Sequence, residues 1–481
     1  MNDEPLAFIQ RGKTLCTAQG TAQNAQDDAG QKNDPNHLHQ IEYCEDVVAY
    51  LKGCCKKLVH DAEYGAIGVD WSAFPFEANR KELRNYLDGM RILLMSLGSR
   101  GDMEPFLALG AELQAEGHDI GFCMPAQFEQ LTREVSGPFH PLDKCFLELL
   151  DTVEVRRIMG QVGSGWSRLR AVLALIPKTR QVQERMILDQ ERAVEAFQPD
   201  EIVFHIKCIY PILWAMKMGG KARVLSPMPC LVHVTDSHPH IAFGKPRGRW
   251  WNRMTYAVAR YALIRQSILG YGRAFLKEKG WKMDKKALSR FFREELNVEY
   301  AYDERLFPRP QEWPPQARIT RFRERNKMLG RGLEPALDTF LNQHDRILYV
   351  GFGSMVNARP AQVAEDVIAV CGEADLGVVM NRSWGGLQPP ESVPSHVFVV
   401  DDVPFDGLFP RVHGAVHHGG SGTTHSALRC GLPQAIIPHI ADQFFWSRRI
   451  VASDLGVDGF PIKQWSRARF ADVVNRLKEK M

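Results

Sequence analysis

Residues 415–428, AVHHGGSGTTHSAL, combine glycines, threonines and histidines, which bind anions or metal ions in many proteins. Gly419, Gly420 and Gly422 lack a Cβ atom, so their backbone N–H groups can approach a ligand closely. A helix is predicted to start at Thr423, and free N–H groups at a helix N-terminus bind anions. No lysine follows the glycines, which excludes a Walker loop, and the spacing is not G-x-G-x-x-G. An anion site and a plain turn between strand and helix both remain open.

The histidines of this stretch raise the alternative of a metal site. His417 and His418 are adjacent on a predicted strand, so their side chains point to opposite faces and cannot readily share one ion. We therefore expect no metal here. We expect His417 and His425 to have structural roles.

Two further loops place carboxylates directly after predicted strands. Asp102, in LGSRGDMEP, would point into a cleft, or would serve as a helix N-cap. Asp442 and Gln443, in PHIADQFFW, pair an acid with an amide, which suits hydrogen bonding to vicinal hydroxyl groups; an N-cap pair is the alternative. His205 also follows a strand, either as a second proton carrier or as a structural histidine.

The elements that position these side chains form two α/β series. The first opens at Met90 with a strand over residues 92–97, a glycine loop and a helix over about 104–116. The second opens with RILYVGFGSM, after the charged segment RFRERNKMLGRGLEP. We predict an N-terminal Rossmann-like domain over 90–325 and a C-terminal one over 326–481. Their strand ends would face each other across a ligand-binding cleft.

Residues 1–89 are predicted to be an appended extension. The first 36 or so are polar and are expected to be disordered, and the rest to be partly helical. Met90 stands where a start codon would suit the domain.

Composition narrows the function classes. Lys and Arg total 60 against 57 Asp and Glu, and a net charge of +3 argues against a nucleic-acid partner. The ten cysteines form no C-x-x-C pair and are expected to be reduced thiols. No signal peptide or membrane-spanning run is predicted. We expect a cytoplasmic protein; its oligomeric state is left open.

Several motifs occur in one order along the chain: LLMSLGSRGDMEPFLALGAELQAEGH, LFPRPQEWPP, YVGFGSM, DDVPFDGLFPRV, VHHGGSGTTHSALRCGLPQ and ADQFFW. This order resembles the family 1 glycosyltransferases of the GT-B fold. The most similar branch holds the sterol 3-β-glucosyltransferases and the bacterial enzymes that glycosylate polyketides and glycopeptides. The resemblance covers about Met90 to Lys463. It implies inverting transfer of a hexose, usually glucose from UDP-glucose, to a hydroxyl group of a lipophilic acceptor, with no metal ion or other cofactor. The chain also has no D-x-D motif, the usual metal–diphosphate clamp of the other glycosyltransferase fold.

The resemblance implies contacts to the donor from the C-terminal half. His418 and the N–H groups after it would hold the diphosphate, Val403 would meet the uracil through its backbone, and the acid–amide pair would bind the sugar hydroxyls. The implied donor residues are Ser354, Trp384, Val403, His418, Gly420, Gly422, Thr423, Asp442 and Gln443.

The resemblance makes Asp102 the general base. His205, Trp250 and Trp251 are predicted to contact the acceptor, with Met254 and Tyr256 on the same long helix, residues 249–279. Because basic residues surround Trp250, contact with a membrane surface is an alternative for this helix. Simple packing of its aromatic side on the core is another.

Some positions depart from the family pattern. Phe405 and Gly407 replace a common His and Trp, Arg321 replaces a common Gly, and we expect no counterpart of the family's usual further C-terminal helix. Two other hypotheses therefore stay open. One is an enzyme that uses a dTDP-sugar to make natural products or glycolipids. The other is a protein that binds a nucleotide sugar without catalysis.

Overall fold

A computed structural model describes residues 89–143, 165–325, 332–353, 355, 357–382, 386–440 and 442–481, with backbone alone over 165–178. The predictions for residues 1–88, Ser354 and Trp384 lie outside the described residues. No helix in the described ranges is long and apolar enough to cross a bilayer.

The first α/β series forms a seven-stranded sheet flanked by helices. The strand order is β3-β2-β1-β4-β5-β6-β7, and every pairing is parallel. Apolar clusters cover both faces, as a buried parallel sheet requires. The elements are β1 (Arg91–Met95), α1 (Arg100–Ala115), β2 (Asp119–Pro125), α2 (Glu129–Thr132), β3 (Phe139–Leu142), α3 (Gly165–Phe197), β4 (Glu201–Phe204), α4 (Tyr210–Met218), β5 (Lys221–Ser226), α5 (Arg249–Ala262), α6 (Arg273–Glu278), α7 (Lys285–Arg290), β6 (Asn297–Ala301) and β7 (Ala317–Thr320).

The second series repeats the design with a six-stranded parallel sheet. Its order is β10-β9-β8-β11-β12-β13. The first strands are added on one side of β8 and the later ones on the other, so a topological switch point lies between β8 and β11. Ligands bind at such a switch point in parallel sheets. The elements are α8 (Pro335–Gln343), β8 (Ile347–Gly351), α9 (Pro360–Glu373), β9 (Gly377–Asn381), β10 (Val397–Val400), α10 (Phe405–Leu408), β11 (Gly414–His417), α11 (Ser421–Arg429), β12 (Gln434–Ile436), α12 (Gln443–Ala452), β13 (Gly456–Val457) and α13 (Arg467–Lys478).

Two helix predictions need correction. Helix α1 begins one turn before the predicted residue 104, because Ser99 and Asp102 form a capping box ahead of Pro105. The predicted helix over residues 249–279 is not one α-helix. After α5 the chain forms a π-helical segment, Leu263–Tyr271, and resumes as α6.

In the described start of the segment that joins the two sheets, residues 321–325, the side chains alternate between the domains. Arg323 and Arg325 pair with glutamates of the first domain, including Glu104 at 2.8 Å from Arg325. Phe322 stacks on His425 of α11 with ring centroids 4.2 Å apart. This alternation follows the two-residue period of extended chain and fixes the linker to both domains.

The carboxyl ends of the two sheets face each other. Ser421, at the start of α11, donates a hydrogen bond of 3.1 Å to the carbonyl of Pro227, just after β5. Phe445 of α12 packs against Phe307 and His238 of the first domain, with centroids 5.6 and 5.1 Å apart. Residues at these strand ends therefore meet in one cleft.

Candidate active site

Asp102 lies in the third position of α1, at the carboxyl end of β1. Its Oδ2 accepts a hydrogen bond of 2.7 Å from the backbone N–H of Ser99, which is the N-cap residue. Asp102 is therefore a member of the capping box rather than the N-cap itself. Oδ2 is committed to the helix start, while Oδ1 faces other side chains.

His205 follows β4, the neighbour of β1, and lies beside Asp102. Its Nδ1 accepts the backbone N–H of Lys207 at 3.2 Å, which places the proton of a neutral ring on Nε2. Nε2 lies 3.5 Å from Oδ1 of Asp102. Burial, with repulsion from Lys207, lowers the pKa of His205 to about 3, so the ring is neutral at neutral pH. It therefore faces the carboxylate as a donor and is not itself a base there.

Lys207 is the third side chain beside Asp102 and His205. It was not predicted from the sequence. Its Nζ lies 3.1 Å from Oδ1 of Asp102 although the two residues are 105 positions apart. The only available signal was its place two residues after His205 in a loop at the end of β4. Neighbouring parallel strands bring such loops together.

These contacts decide the charge of Asp102. Burial by itself raises the pKa of Asp102, but attraction to Lys207 and His205 and hydrogen bonds from Lys207 and Ser99 outweigh it and hold the pKa below its ordinary value. Asp102 is therefore ionised at neutral pH.

Gly98 gives the carboxylate its room. Its φ is +144°, and a Cβ atom there would lie 2.2 Å from Oδ2 of Asp102 and 2.9 Å from Nζ of Lys207. Any side chain at position 98 would therefore collide with the paired side chains of Asp102 and Lys207. The glycine in LGSRGD is thus explained by a close approach as well as by backbone conformation.

On the opposite domain, His418 is held between two glycines. A Cβ atom at Gly353 would lie 2.7 Å from Cε1 of His418, and one at Gly420 would lie 2.5 Å from its Nε2. Burial, with repulsion from nearby histidines, lowers its pKa to about 3. Among the described residues no group makes a well-formed hydrogen bond to its buried Nδ1, although the Gly351 backbone lies close enough to oppose the fall of the pKa. His418 is thus a neutral, fixed ring with an unsatisfied polar atom, which favours a ligand at this position.

Helix α11 begins next to this ring, at Ser421 rather than at the predicted Thr423. Gly420 is its N-cap, and the first helical hydrogen bond runs from Thr424 N–H to the Gly420 carbonyl at 3.0 Å. The N–H groups of residues 421–423 therefore have no partner within the helix. A Cβ atom at Gly422 would meet open space, so a ligand can approach the helix here. These features are typical of an anion site, here called the anion cradle of α11; its binding of an anion stays a prediction.

Asp442 is the N-cap residue of α12, but its side chain makes no capping hydrogen bond. The carboxylate is left available for another partner. Burial raises the pKa of Asp442 to about 6, with a further contribution from the charge of Asp102 and an opposing one from Lys207. The charges of Asp102 and Lys207 on the facing domain therefore act on Asp442.

Gln443 is buried and already engaged. Its Oε1 accepts the backbone N–H groups of His439 and Ile440 at 2.7 and 3.0 Å. Its Nε2 points to the sulfur of Met355 at 3.3 Å. In this structure the amide shapes the loop before Asp442; its predicted contact with sugar hydroxyls stays a prediction.

The other two histidines of the opening stretch have internal partners. His417 contacts Oε1 of Gln434 at 2.9 Å and accepts the N–H of Gly419 at 3.1 Å. His425 contacts the Ser421 carbonyl at 2.7 Å. Both fit the structural roles expected for them. Within the described ranges, no three His, Cys, Asp or Glu side chains form a group that could hold a metal ion.

The DDVP loop places Val403 in the core at the end of β10. Phe405, which departs from the family pattern, stacks on Phe409 with centroids 4.3 Å apart and contacts Tyr349 edge-on. The substituted residue therefore fills the core beneath the loop. The uracil contact through the Val403 backbone stays a prediction.

The predicted acceptor contacts on α5 differ in how far they are exposed to solvent. Tyr256 is buried, Trp251 is half-buried beneath Arg247, and Trp250 is 75% exposed. A side chain that lines a pocket is normally covered, so the exposure of Trp250 favours a contact outside the cleft. The acceptor role of Trp250 and Trp251 stays a prediction.

Two family models match the two halves of the chain. The glycosyltransferase family 28 N-terminal domain matches residues 92–196, and the C-terminal domain of the erythromycin biosynthesis protein CIII-like family matches residues 365–479. A sterol 3-beta-glucosyltransferase of Arabidopsis thaliana is 29% identical over 413 residues, which cover 82% of this chain and 64% of that protein. One from Aspergillus clavatus is 28% identical and covers 79% of this chain and 27% of its own length. This chain thus spans less than two thirds of either relative.

Solved structures share the fold at low sequence identity. The glycosyltransferase of kitacinnamycin superposes with a TM-score of 0.59 at 18% identity, covering 81% of this chain and 90% of the other. The calicheamicin glycosyltransferase CalG4 gives 0.57 at 16% identity, covering 81% and 91%. The predicted fold of two facing Rossmann-like domains and the family resemblance are confirmed. The chain has the GT-B fold and is similar in sequence to sterol 3-beta-glucosyltransferases over about four fifths of its length, and it matches the family 28 and CIII-like models over residues 92–196 and 365–479.

Proposed function

We propose that the protein is a glycosyltransferase that moves glucose from UDP-glucose to the hydroxyl group of a sterol-like acceptor. The observation that carries this proposal is the meeting of Asp102 and Asp442 beside the anion cradle of α11. One carboxylate comes from each domain, and the charge of Asp102 contributes to the raised pKa of Asp442. The names of the plant and fungal relatives supply the sugar and the acceptor class.

Asp102 would act as the general base. It is ionised at neutral pH and can accept the acceptor's hydroxyl proton as the oxygen attacks the anomeric carbon. Lys207 holds the carboxylate in place by a hydrogen bond to Oδ1, and the ring of His205 lies beside the same oxygen. Attack from the face opposite the leaving group would invert the configuration at the anomeric carbon.

The C-terminal domain would stabilise the leaving diphosphate. The free N–H groups at the start of α11 and the ring of His418 would donate hydrogen bonds to its oxygens as negative charge develops. Because His418 is neutral, it would act as a fixed dipole rather than as a cation. Fixed donors of this kind can replace a metal ion, so we propose metal-independent transfer.

Asp442 would bind hydroxyl groups of the sugar. An ionised carboxylate accepts hydrogen bonds from two vicinal hydroxyls, whereas a protonated one accepts fewer. Because the pKa of Asp442 is raised to about 6, donor binding would weaken as the pH falls through that value.

A dTDP-sugar is the second candidate donor. The glycosyltransferase VinC, solved in complex with dTDP, shares the fold with a TM-score of 0.55 at 16% identity. Thermal-shift titrations with UDP and dTDP would separate the two donors, since the true one binds more tightly and raises the melting temperature further.

The test is mass spectrometry of reactions that contain UDP-glucose or dTDP-glucose and a panel of sterols, flavonoids and lipids. A glucosylated sterol formed from UDP-glucose supports the proposal. Asp102→Asn should lower kcat by about 10³-fold with little change in donor affinity. Tight UDP binding without any glycoside product would instead identify a nucleotide-sugar-binding protein without catalytic activity.

A further inference from the structure

Helix α5 presents apolar side chains to solvent as well as to the core. Its inner face buries Asn252, Thr255 and Tyr256. Its outer face carries Trp250, Val258 and Tyr261, which are 75%, 44% and 63% exposed. Their spacing of eight and three positions places them on one side of an α-helix.

The outer face therefore forms an apolar stripe that the described parts of the chain leave uncovered. Met254 and Ala257 lie between its three large residues at the same helical spacing. Across the described residues, only Met218 and Val451 are other large hydrophobic side chains with comparable exposure. The stripe is thus the one place in the described chain where exposed large apolar residues are concentrated on a single helix.

The sequence around this stripe has no acidic residue. Residues 237–277 contain no Asp or Glu, although the whole chain holds 57 of them and is nearly neutral. The same stretch holds eight basic residues: Lys245, Arg247, Arg249, Arg253, Arg260, Arg265, Arg273 and Lys277. Positive charge is therefore concentrated where the exposed apolar side chains lie.

Little of this charge is neutralised by carboxylates. Asp236 is the carboxylate that pairs with both Arg249 and Arg253, with nitrogen–oxygen distances of 2.8 Å in each pair. Arg247 and Arg265 instead lie over the rings of Trp251 and Tyr261, at 5.3 and 5.9 Å. Neither arginine forms an ion pair within the described ranges. Two cations thus lie directly against aromatic rings of this part of the chain.

We propose that the outer face of α5, with the cations beside it, docks the protein on a bilayer that contains anionic lipid. A helix with tryptophan and aliphatic residues on one side and arginines at its margins lies in the membrane interface. Tryptophan and tyrosine rings favour the headgroup region, and each nearby Lys or Arg adds attraction to anionic headgroups.

Charge also decides between a bilayer and a second copy of the chain. Two such surfaces would bring like charges together, which opposes association. Three large exposed side chains also supply much less area than the roughly 800 Å² per partner of a stable interface. A fluid anionic surface needs neither a matched shape nor a matched pattern of charges.

The position of α5 links this surface to the cleft. The chain between β5 and α5 leaves the same sheet edge that carries Asp102. It is tied to α5 by hydrogen bonds from Asn252 Nδ2 to the Asp236 carbonyl and from His240 N–H to Thr255 Oγ1, both 2.8 Å long. Docking through α5 would therefore hold the acceptor side of the cleft close to the lipid. The proposal does not depend on turnover and stands apart from the proposed reaction.

The test is flotation of the full-length protein with vesicles of phosphatidylcholine alone or with about 30% phosphatidylserine. The protein should float with the anionic vesicles and much less with the neutral ones. The double variant Trp250→Ala/Tyr261→Ala should bind about tenfold more weakly, because two rings no longer enter the interface. Arg265→Glu should weaken binding about fivefold or more.

Matched controls change equally exposed residues elsewhere. Met218→Ala removes a side chain that is 63% exposed on α4, and Arg133→Glu reverses an exposed arginine at the end of α2. Both should bind like the unchanged protein. Unaltered melting temperatures would show that the α5 variants fold.

Three outcomes overturn the proposal: absence of vesicle binding, equal binding to neutral and anionic vesicles, or variants that bind as well as the unchanged protein. A dimer that Trp250→Ala/Tyr261→Ala converts to monomers would also overturn it, since a second copy would then cover the stripe. Failure of sugar transfer with intact vesicle binding would overturn only the proposed reaction.

Discussion

The two sides of the cleft are built from different kinds of groups. The C-terminal side offers backbone N–H groups at the start of α11 and a neutral ring, His418, fixed between glycines. The N-terminal side offers charged side chains, Asp102 and Lys207, brought together from two loops. Backbone donors hold a diphosphate without titrating, whereas a base must carry a charge that its surroundings set. The difference predicts that substitutions on the two sides will change different kinetic quantities.

After the loss of Asp102 itself, the largest effect is expected from Gly98→Ala on the N-terminal side. The new Cβ atom would collide with Oδ2 of Asp102 and displace the base, and a displacement of about 1 Å can cost about 10²-fold in rate. Steady-state kinetics should show the loss in kcat while donor KM stays nearly constant.

The matched control is Gly219→Ala, at another glycine with positive φ, +68°, where a Cβ atom would meet nothing. It should cost stability by backbone strain but leave kcat near that of the unchanged protein. Equal losses of kcat in both variants would show that strain alone, and not contact with Asp102, explains the Gly98 result.

His418→Ala should weaken donor binding on the C-terminal side of the cleft. Loss of one hydrogen bond to a charged diphosphate costs about 2 kcal/mol, or roughly thirtyfold. Isothermal titration with UDP should show the weaker binding. His425→Phe on α11 is the control, because it keeps the stack on Phe322 and should leave UDP affinity unchanged. Equal UDP affinity in the His418 variant would remove this residue from the donor site.

Lys207→Met should change the pH dependence of the rate, because Lys207 helps to set the charge of the base on the N-terminal side. Without Lys207 the ionised form of Asp102 loses an attractive partner, so the pKa of Asp102 rises. The acid side of the kcat profile at saturating donor, where the rate falls as Asp102 becomes protonated, should therefore move to higher pH. At neutral pH the rate should change by less than about fivefold, since Lys207 is partly exposed. Lys207→Arg should restore the original profile; an unmoved acid limb in Lys207→Met would show that Lys207 does not set the charge of the base.

The smallest effect is expected from removal of metal ions. If backbone N–H groups and His418 stabilise the leaving diphosphate, EDTA should change the rate by less than about twofold, whereas loss of a catalytic metal costs several kcal/mol. Restoration of a lost rate by added Mg²⁺ or Mn²⁺ would contradict the proposed role of the C-terminal side.

The sequence was most informative where function rests on consecutive residues. The cradle at 415–428, the strand–loop–helix order and the two-domain design could all be predicted, because glycines and helix starts act locally. The start of α1 was predicted wrongly since Pro105 favours a helix start near itself, while the capping box of Ser99 and Asp102 begins the helix earlier. The break in the helix after α5 was also missed, because its apolar spacing continues through the π-helical segment.

What the sequence by itself determined is the chemistry available: a carboxylate after β1, an anion cradle after β11 and an acid before α12. What only the tertiary structure decided is which of these groups act on one another. Lys207 reaches Asp102 across 105 residues because β1 and β4 are neighbours in the sheet. The pKa of Asp102 depends on burial and on Lys207 and His205 of its own domain. The pKa of Asp442 depends on burial and on the charges of Asp102 and Lys207 in the facing domain. Distances between residues far apart in the chain fix these quantities, and a sequence pattern contains no such distances.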